Sequence, residues 1–511
     1  MKARYLFLLL TTISTLGFLA CSDDETIPTP TPNPTPTPTE KTVNEITNEW
    51  IYDQMKRVYL WNEELPAPAS ISYTQAPDKF FENILYKYQD INGDRFSWIE
   101  EDKSKSKSLF ATDNLGFDYI PSSFFTSESE YSSVGLFIVS VNQGSDAEAK
   151  GVRRGQVIYQ VNGTTVTSTN YTTILNGTGN YNLAIYNNNG RREALPSFSA
   201  SASKPSPIFL SKVITTNNGI KVGYLMYNAF ERNSDDNVNN YEYDIQLIEK
   251  IRELGNSGIT EFVLDLRYNL GGYLTSAMDL ASALVPNRNT KNIFAKESYN
   301  KYYTDSLTTQ YGTNAFNEYF LDKVYGTKVD IPRLNLNRLY VIATENTASA
   351  SELVIHGLRP YMTVNHIGLT TVGKDKASQT VKSEDKRILW QLQPIISRLT
   401  DANGVGNYIN GLTPTHEVSE WHEGYNMVDA YYDDDNGNRV KIQSPYLSEW
   451  KGGFGELGDP NEPLLAEALA QITGIKRAQT TKSTAQRNWV AKKVPFIKSD
   501  KDKRAITIID K

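Results

Sequence analysis

The stretch ENTASASELV, Glu345 to Val354, sets three hydroxyls (Thr347, Ser349 and Ser351) among alanines and then places an acid, Glu352. It follows the apolar run RLYVIAT and precedes a mainly apolar segment, Ser351 to Leu358, that reads as a helix. A residue at such a junction sits at a strand's carboxyl end and a helix's amino end. Backbone N–H groups and the helix dipole favour developing negative charge there. Ala348 and Ala350 leave room for a substrate carbonyl beside Ser349. Two readings fit. Ser349 is a helix cap with Glu352 closing a capping box, or Ser349 is a nucleophile in need of a base. On these residues alone the cap is the simpler reading.

The four histidines, His356, His366, His416 and His422, show no HExxH spacing, which gives a zinc hydrolase little support. His356 would lie roughly 10 Å along a helix from Ser349, too far for a direct hydrogen bond. No Gly-x-Ser-x-Gly elbow surrounds any serine, which argues against an α/β-hydrolase. The segment TTVGKDKASQ offers Lys374 instead. A lysine accepts a proton only when neutral, so its pKa must fall from ~10.4 to near 7, a cost of about 4–5 kcal/mol in disfavoured charge. Burial in an apolar site can supply that. Lys374 is therefore expected to be buried, away from carboxylates, with Asp375 pointing elsewhere. Upstream, LDLRYNLGGYL ends a strand with Gly271 and Gly272, which can bring backbone donors close to a ligand.

Three segments stand in order: Asp265-Leu266-Arg267-Tyr268-Asn269-Leu270-Gly271-Gly272, Ser349-Ala350-Ser351-Glu352 and Gly373-Lys374. Together they resemble the C-terminal-processing (tail-specific) serine peptidases. The later NGLTPTHEV is similar to a further segment of that family, with Thr415 in place of its Asp. The resemblance covers about residues 45 to 474. It implies Ser349 as nucleophile, Lys374 as general base, and Gly271, Gly272 and Ala350 as oxyanion donors, without deciding which glycine faces the site. The family often has a Gln four residues past the lysine that orients it. Here that position is Ser378, and Gln379 is one further on, the candidate for that role. The resemblance implies a ClpP/crotonase-like core and no metal or organic cofactor. Asp265 and Arg267 are expected to be structural.

The elements that must position these residues make a multidomain α+β chain. Residues 45–112 read as a small helical N-terminal domain, with stripes at Trp50, Ile51, Met55, Val58 and Tyr59 and at Phe80, Phe81, Ile84, Leu85 and Tyr88. Within it, DINGDRFSWIEED carries acids in a calcium-loop-like order, but Arg95 stands where the sharp turn needs Gly, so calcium is discounted. Residues 113–204 are β-rich, and GSDAEAKGVRRGQVIYQVNG resembles a PDZ domain, with Asp146 and Gln156 departing from the usual Pro and Asp. In that alignment Leu115, Gly116 and Phe117 form the loop that binds a peptide's terminal carboxylate, and the peptide adds as a strand. Residues 205–475 alternate strands and helices, an α/β peptidase core. Residues 476–511 form a basic tail, read as solvated or loosely docked.

The N-terminus accounts for the single cysteine. Lys2 and Arg4 precede an apolar run that ends at Ala20, a secretory signal over residues 1–20. FLAC resembles a lipobox, which implies lipidation of Cys21 and membrane attachment. Residues 21–44 are then a Pro/Thr linker in polyproline II form, a stalk extending roughly 50 Å. SDDE after Cys21 resembles surface-export signals. The expected location is the cell envelope, as an outer-membrane lipoprotein exposed at the surface. A net charge of −7 with no basic block in the middle of the chain argues against nucleic acid as partner. The expected partner is a peptide or protein with an accessible C-terminus. The activity expected is serine endopeptidase; the alternative is a surface lipoprotein that holds peptides without cutting them.

Overall fold

The apolar run RLYVIAT, read above as a strand, lies inside a six-stranded sheet. In the computed structural model, Lys221–Tyr227, Glu261–Asp265, Arg338–Ala343 and Thr363–Gly368 lie parallel and adjacent. Ile208–Thr215 closes one edge antiparallel, and His416–Glu417 pairs at the other. The structure describes residues 40–101, 115–126, 129–175, 179–200, 206–234, 237, 239–433, 438–450, 453–475, 489–490 and 506–508. The expected signal segment, Cys21 and most of the proline linker lie outside these residues.

Interior parallel strands are covered on both faces, which is why Phe262, Val263 and Leu264 are all fully buried. Side chains alternate between the faces. Leu225, Leu264 and Val341 meet the helices Glu242–Asn256, Leu274–Leu284 and Ala350–Leu358. Tyr224, Val263 and Ile342 meet Leu464, Leu465 and Ala468 of the helix Pro463–Thr473. That last helix has Glu462 as its N-cap, accepting from the Leu465 amide, and ends at Gly474 in the left-handed region.

The helical N-terminal domain packs through Ile51, Met55, Phe80, Phe81 and Ile84, and Leu392 of the peptidase region completes its core. Its strand Trp98–Glu101 pairs antiparallel with Trp390–Gln393, so this domain is fastened to the peptidase region by a ladder. The β-rich module has its own core around Leu136, Ile138, Ile158 and Ile185. It is not contiguous in sequence. The hairpin Tyr425–Asp433 and Arg439–Trp450, assigned above to the peptidase core, joins the module's sheet through Phe125 opposite Tyr446.

Within the tail, read above as solvated or loosely docked, Trp489–Val490 pairs between the 425–433 and 129–141 strands. Ile506–Ile508 pairs between Gly271–Tyr273 and Lys376–Ser378.

Candidate active site

Two of the three hydroxyls in the ENTASAS turn have structural roles. Thr347 Oγ1 donates to the Leu266 carbonyl (2.8 Å) and accepts from the Thr344 amide (2.9 Å). Ser351 Oγ donates to the Asn269 carbonyl (3.0 Å). Both tie the turn to the Asp265–Gly272 segment. Ser349 stands at the N-cap of the Ala350–Leu358 helix, but with φ 62° and ψ −116°. An N-cap residue ordinarily sits in the β region. A side chain held at positive φ costs about 1–3 kcal/mol and persists only where its surroundings enforce it. The cap position and the strained, fully buried serine are thus the same residue.

Glu352 does the enforcing. Its Oε2 accepts from the Ser349 amide at 2.8 Å and from the Lys374 amide at 2.8 Å. Its Oε1 accepts from the Thr371 hydroxyl at 2.5 Å and from the Gly373 amide at 2.7 Å. One buried carboxylate therefore binds the serine turn to the lysine loop. Burial pushes its pKa above the usual range, while these four donors pull it back. The sequence reading gave Glu352 only the capping role. The Thr371–Gly373 donors are distant in sequence, and no local pattern signals them.

Lys374 is fully buried, and its pKa falls to about 7. Desolvation is the largest cause; Asp94 and Glu352 act against it, and Lys376 adds to it. The expectation that no carboxylate lies near is therefore corrected: two exert influence, and burial outweighs them. Asp375 does turn elsewhere, accepting from Lys376 Nζ at 2.5 Å. The Lys374 ammonium nitrogen lies 5.3 Å from the Phe96 ring centroid. Asp94 is fixed by the Tyr59 hydroxyl (2.8 Å) and by the Phe96 and Ser97 amides (3.0 and 2.8 Å). Arg95 Nη2 donates to the carbonyls of Gly373 (3.2 Å) and Ile409 (3.0 Å). The segment weighed above as a calcium loop thus forms a wall beside Lys374.

The glycine pair divides its roles. The Gly271 amide donates to Asn269 Oδ1 at 2.9 Å, and its carbonyl accepts from the Phe230 amide at 3.0 Å. Gly272 pairs with the tail strand, opposite Thr507. Gly272 has φ 142°, and a Cβ there would stand 2.2 Å from the Phe230 carbonyl oxygen, so only glycine fits. Ala350 is the first helical residue after Ser349, where an amide has no acceptor within the helix. Asn269 is fully buried; its Nδ2 donates to the Tyr227 carbonyl (2.8 Å), and its own carbonyl accepts from the Ala348 amide (3.0 Å).

Gln379 Oε1 accepts from the Tyr303 hydroxyl at 3.4 Å. Ser378 Oγ accepts from Gln393 Nε2 at 3.1 Å. His356 Nε2 is 2.9 Å from the Val405 carbonyl and His366 Nε2 is 3.1 Å from the Ala343 carbonyl. In the β-rich module Leu115 and Phe117 are buried. Gly116, at φ 79°, accepts at its carbonyl from the Asn142 amide at 2.7 Å. The loop opens directly into the Phe117–Thr126 strand.

Asp265 and Arg267 are structural, as expected, and pair with each other at 2.7 Å. Arg267 also reaches Glu462 (2.6 Å) and Glu420 (3.2 Å). Arg154, from the β-rich module, joins Glu420 at 2.7 Å and the Tyr268 hydroxyl at 2.7 Å. This buried network links the module, the strand end that leads to Gly271, and the helix after Glu462.

Comparison with known proteins points to one family. Residues 221–418 match the model for Peptidase family S41, and residues 47–98 match the Peptidase S41 N-terminal domain. A Bacteroides fragilis NCTC 9343 protein assigned as an S41 protease has a similar structure, at 26% identity and a TM-score of 0.62. The match covers 84% of this chain and 98% of that one. The photosystem II D1 C-terminal processing protease is 16% identical, TM-score 0.43, over 74% of this chain and 94% of that one. Mature CPAF is 11% identical, TM-score 0.39, over 73% and 92%. Those two scores are too low to add weight. None of the curated proteins compared is significantly similar. With both its N-terminal and its peptidase regions matched, the chain carries the two domains of peptidase family S41, the C-terminal processing peptidases, and is a serine-type peptidase.

Proposed function

We propose that Ser349 and Lys374 form a Ser–Lys dyad that cleaves protein substrates bearing an accessible C-terminus, through an acyl-enzyme. The observation that carries this is the meeting of the Ser349 and Lys374 amides at one Glu352 oxygen, with Lys374 buried to a pKa of about 7. At neutral pH such an amine is half deprotonated and can take the Ser349 proton as Oγ attacks the scissile carbonyl. The negative oxygen that forms is met by the Gly272 and Ala350 amides, each contributing about 3–4 kcal/mol to the transition state. The C–N bond then breaks, and the leaving amine takes the proton from Lys374. Water next gives a proton to Lys374 and attacks the ester. The acid product leaves, and the proton returns to Ser349.

The β-rich module acts as a PDZ-like capture site. The loop at Leu115, Gly116 and Phe117 takes the substrate's terminal carboxylate, and the peptide adds along the Phe117–Thr126 strand. The buried Arg154–Glu420 contact supports a rigid relation between that module and the catalytic core. Cys21 anchors the protein to the outer membrane by its lipid, with the proline linker as a stalk.

A fluorophosphonate probe tests the dyad. Wild-type protein is labelled at Ser349, and Ser349→Ala is not. Equal labelling of the two proteins sinks the assignment. Peptide binding with no labelling at all would favour the non-catalytic binder.

A further inference from the structure

The tail was the one sequence feature left without a role. Its short strand Ile506–Ile508 runs parallel to both neighbours, with Gly271 opposite Ile506, Gly272 opposite Thr507 and Tyr273 opposite Ile508. On its other side Ser378 stands opposite Ile508. Among the described residues, Gly271–Tyr273 joins this sheet through the tail strand alone. Withdraw that strand, and Gly271–Tyr273 and Lys376–Ser378 face each other across a slot one strand wide, about 10 Å. One wall carries Gly272, the candidate oxyanion donor. The other begins two residues after Lys374. An extended backbone in this slot passes between the two groups that must act on a scissile bond.

Resting on the dyad reading above, we propose that this slot is where substrate backbone pairs, and that Ile506–Ile508 occupies it in cis as a competitor. Strand edges recruit any chain that can complete their ladders. The run Ile506-Thr507-Ile508-Ile509 is β-branched throughout, unlike the Lys/Arg-rich sequence before it, and so is suited to a strand rather than to a solvated tail. A tethered segment acts at an effective concentration around the millimolar range. Substrates must displace it, and the slot is expected to favour β-branched aliphatic segments like it.

Thr507→Pro in the full-length chain tests this, because proline removes an N–H from the ladder and is excluded from a strand paired on both sides. A chain ending at Asp500 is the second variant. In both, KM for an unstructured peptide falls about tenfold or more while kcat changes little. An unchanged KM in both overturns the proposal. A binding readout separates this from the dyad. In a Ser349→Ala background, the fluorescein-labelled peptide KDKRAITIIDK is titrated and followed by anisotropy. It binds Thr507→Pro at least tenfold more tightly than the parent. Equal affinities overturn the tail assignment even if Ser349 is labelled normally. A difference upholds it even if Ser349 proves inert.

Discussion

The backbone amides of Ser349 and Lys374 donate to the same oxygen of Glu352, each at 2.8 Å. The serine turn and the lysine loop are thereby held by one side chain, beside the Val372 amide's bond to the Thr347 carbonyl (3.0 Å). Glu352→Gln keeps the volume but replaces one accepting oxygen with a donor. At least one of the four hydrogen bonds to the carboxylate is lost, and a buried donor left unpaired costs about 1–3 kcal/mol. We expect kcat to fall tenfold or more with KM nearly unchanged, because the side chain holds the Ser349 and Lys374 backbone of the proposed dyad and not the substrate. Steady-state kinetics with a denaturant melt checks this. A normal kcat in a destabilised protein would reduce Glu352 to a helix cap.

The Lys374 pKa of about 7 sets a pH profile. Only the neutral amine accepts a proton, so kcat/KM rises with pH through about 7 and levels off above it. The stability effect runs with the same sign. The folded state disfavours the ammonium relative to the unfolded chain, where the pKa is ~10.4. The penalty is fully present below the folded pKa and fades as pH climbs toward the unfolded one. Lys374→Met should therefore be inactive at every pH, yet more stable than wild type by about 2–4 kcal/mol at neutral pH. The gain should shrink toward zero near pH 10. Urea melts at pH 6, 8 and 10 check the trend.

Asp94 comes from the N-terminal domain and works against the neutral form of Lys374. Asp94→Asn removes that charge while keeping an oxygen for the Phe96 and Ser97 amides. The midpoint of the pH–rate profile should move below 7. Phe96→Leu thins the apolar cover over the amine and should move the midpoint upward, since readmitted water favours the ammonium. Opposite shifts from neighbouring positions test whether this domain tunes the base; no shift in either variant would leave it a brace.

The chemistry-bearing segments were legible because each is local. A strand end with paired glycines, a small-residue turn before a helix, and a glycine before a lysine can all be read in a few residues. Arg338–Ala343 was legible for the same reason, as an unbroken apolar run, whereas Thr363–Gly368, interrupted by Asn365 and His366, was not. What escaped was assembly between distant segments. Nothing near Asp94 or Phe96 announces that they will wall in Lys374. The Glu352 pattern matches an ordinary capping box, and its second use depends on a loop beyond the helix. The 425–450 hairpin sits in sequence among peptidase elements but finds its ladder at Phe125, a partner no periodicity could indicate. Nor did anything local show that the Asn269 side chain takes the first glycine's amide.

The network around Arg267 gives the largest expected stability effect. Three buried carboxylates, Asp265, Glu420 and Glu462, face two buried guanidinium groups, Arg154 and Arg267. Burial works to raise the Glu462 carboxyl, but Arg267 and Arg154 outweigh it and hold its pKa below the usual range. A depressed carboxyl stabilises the fold above its unfolded pKa, near 4.3, and that contribution is lost as pH falls through the folded value. Arg267→Met strands Asp265 and Glu462 without their main counter-charge, and breaking such a pair costs about 3–5 kcal/mol. Arg154→Met leaves Arg267 in place and should cost less. The two variants should also differ in kind. Arg267→Met should lose the acid-side fall in stability that Glu462 contributes, whereas Arg154→Met should keep most of it. Melts from pH 3 to 7 on both proteins decide this; matching profiles would mean that Arg267 does not dominate the network.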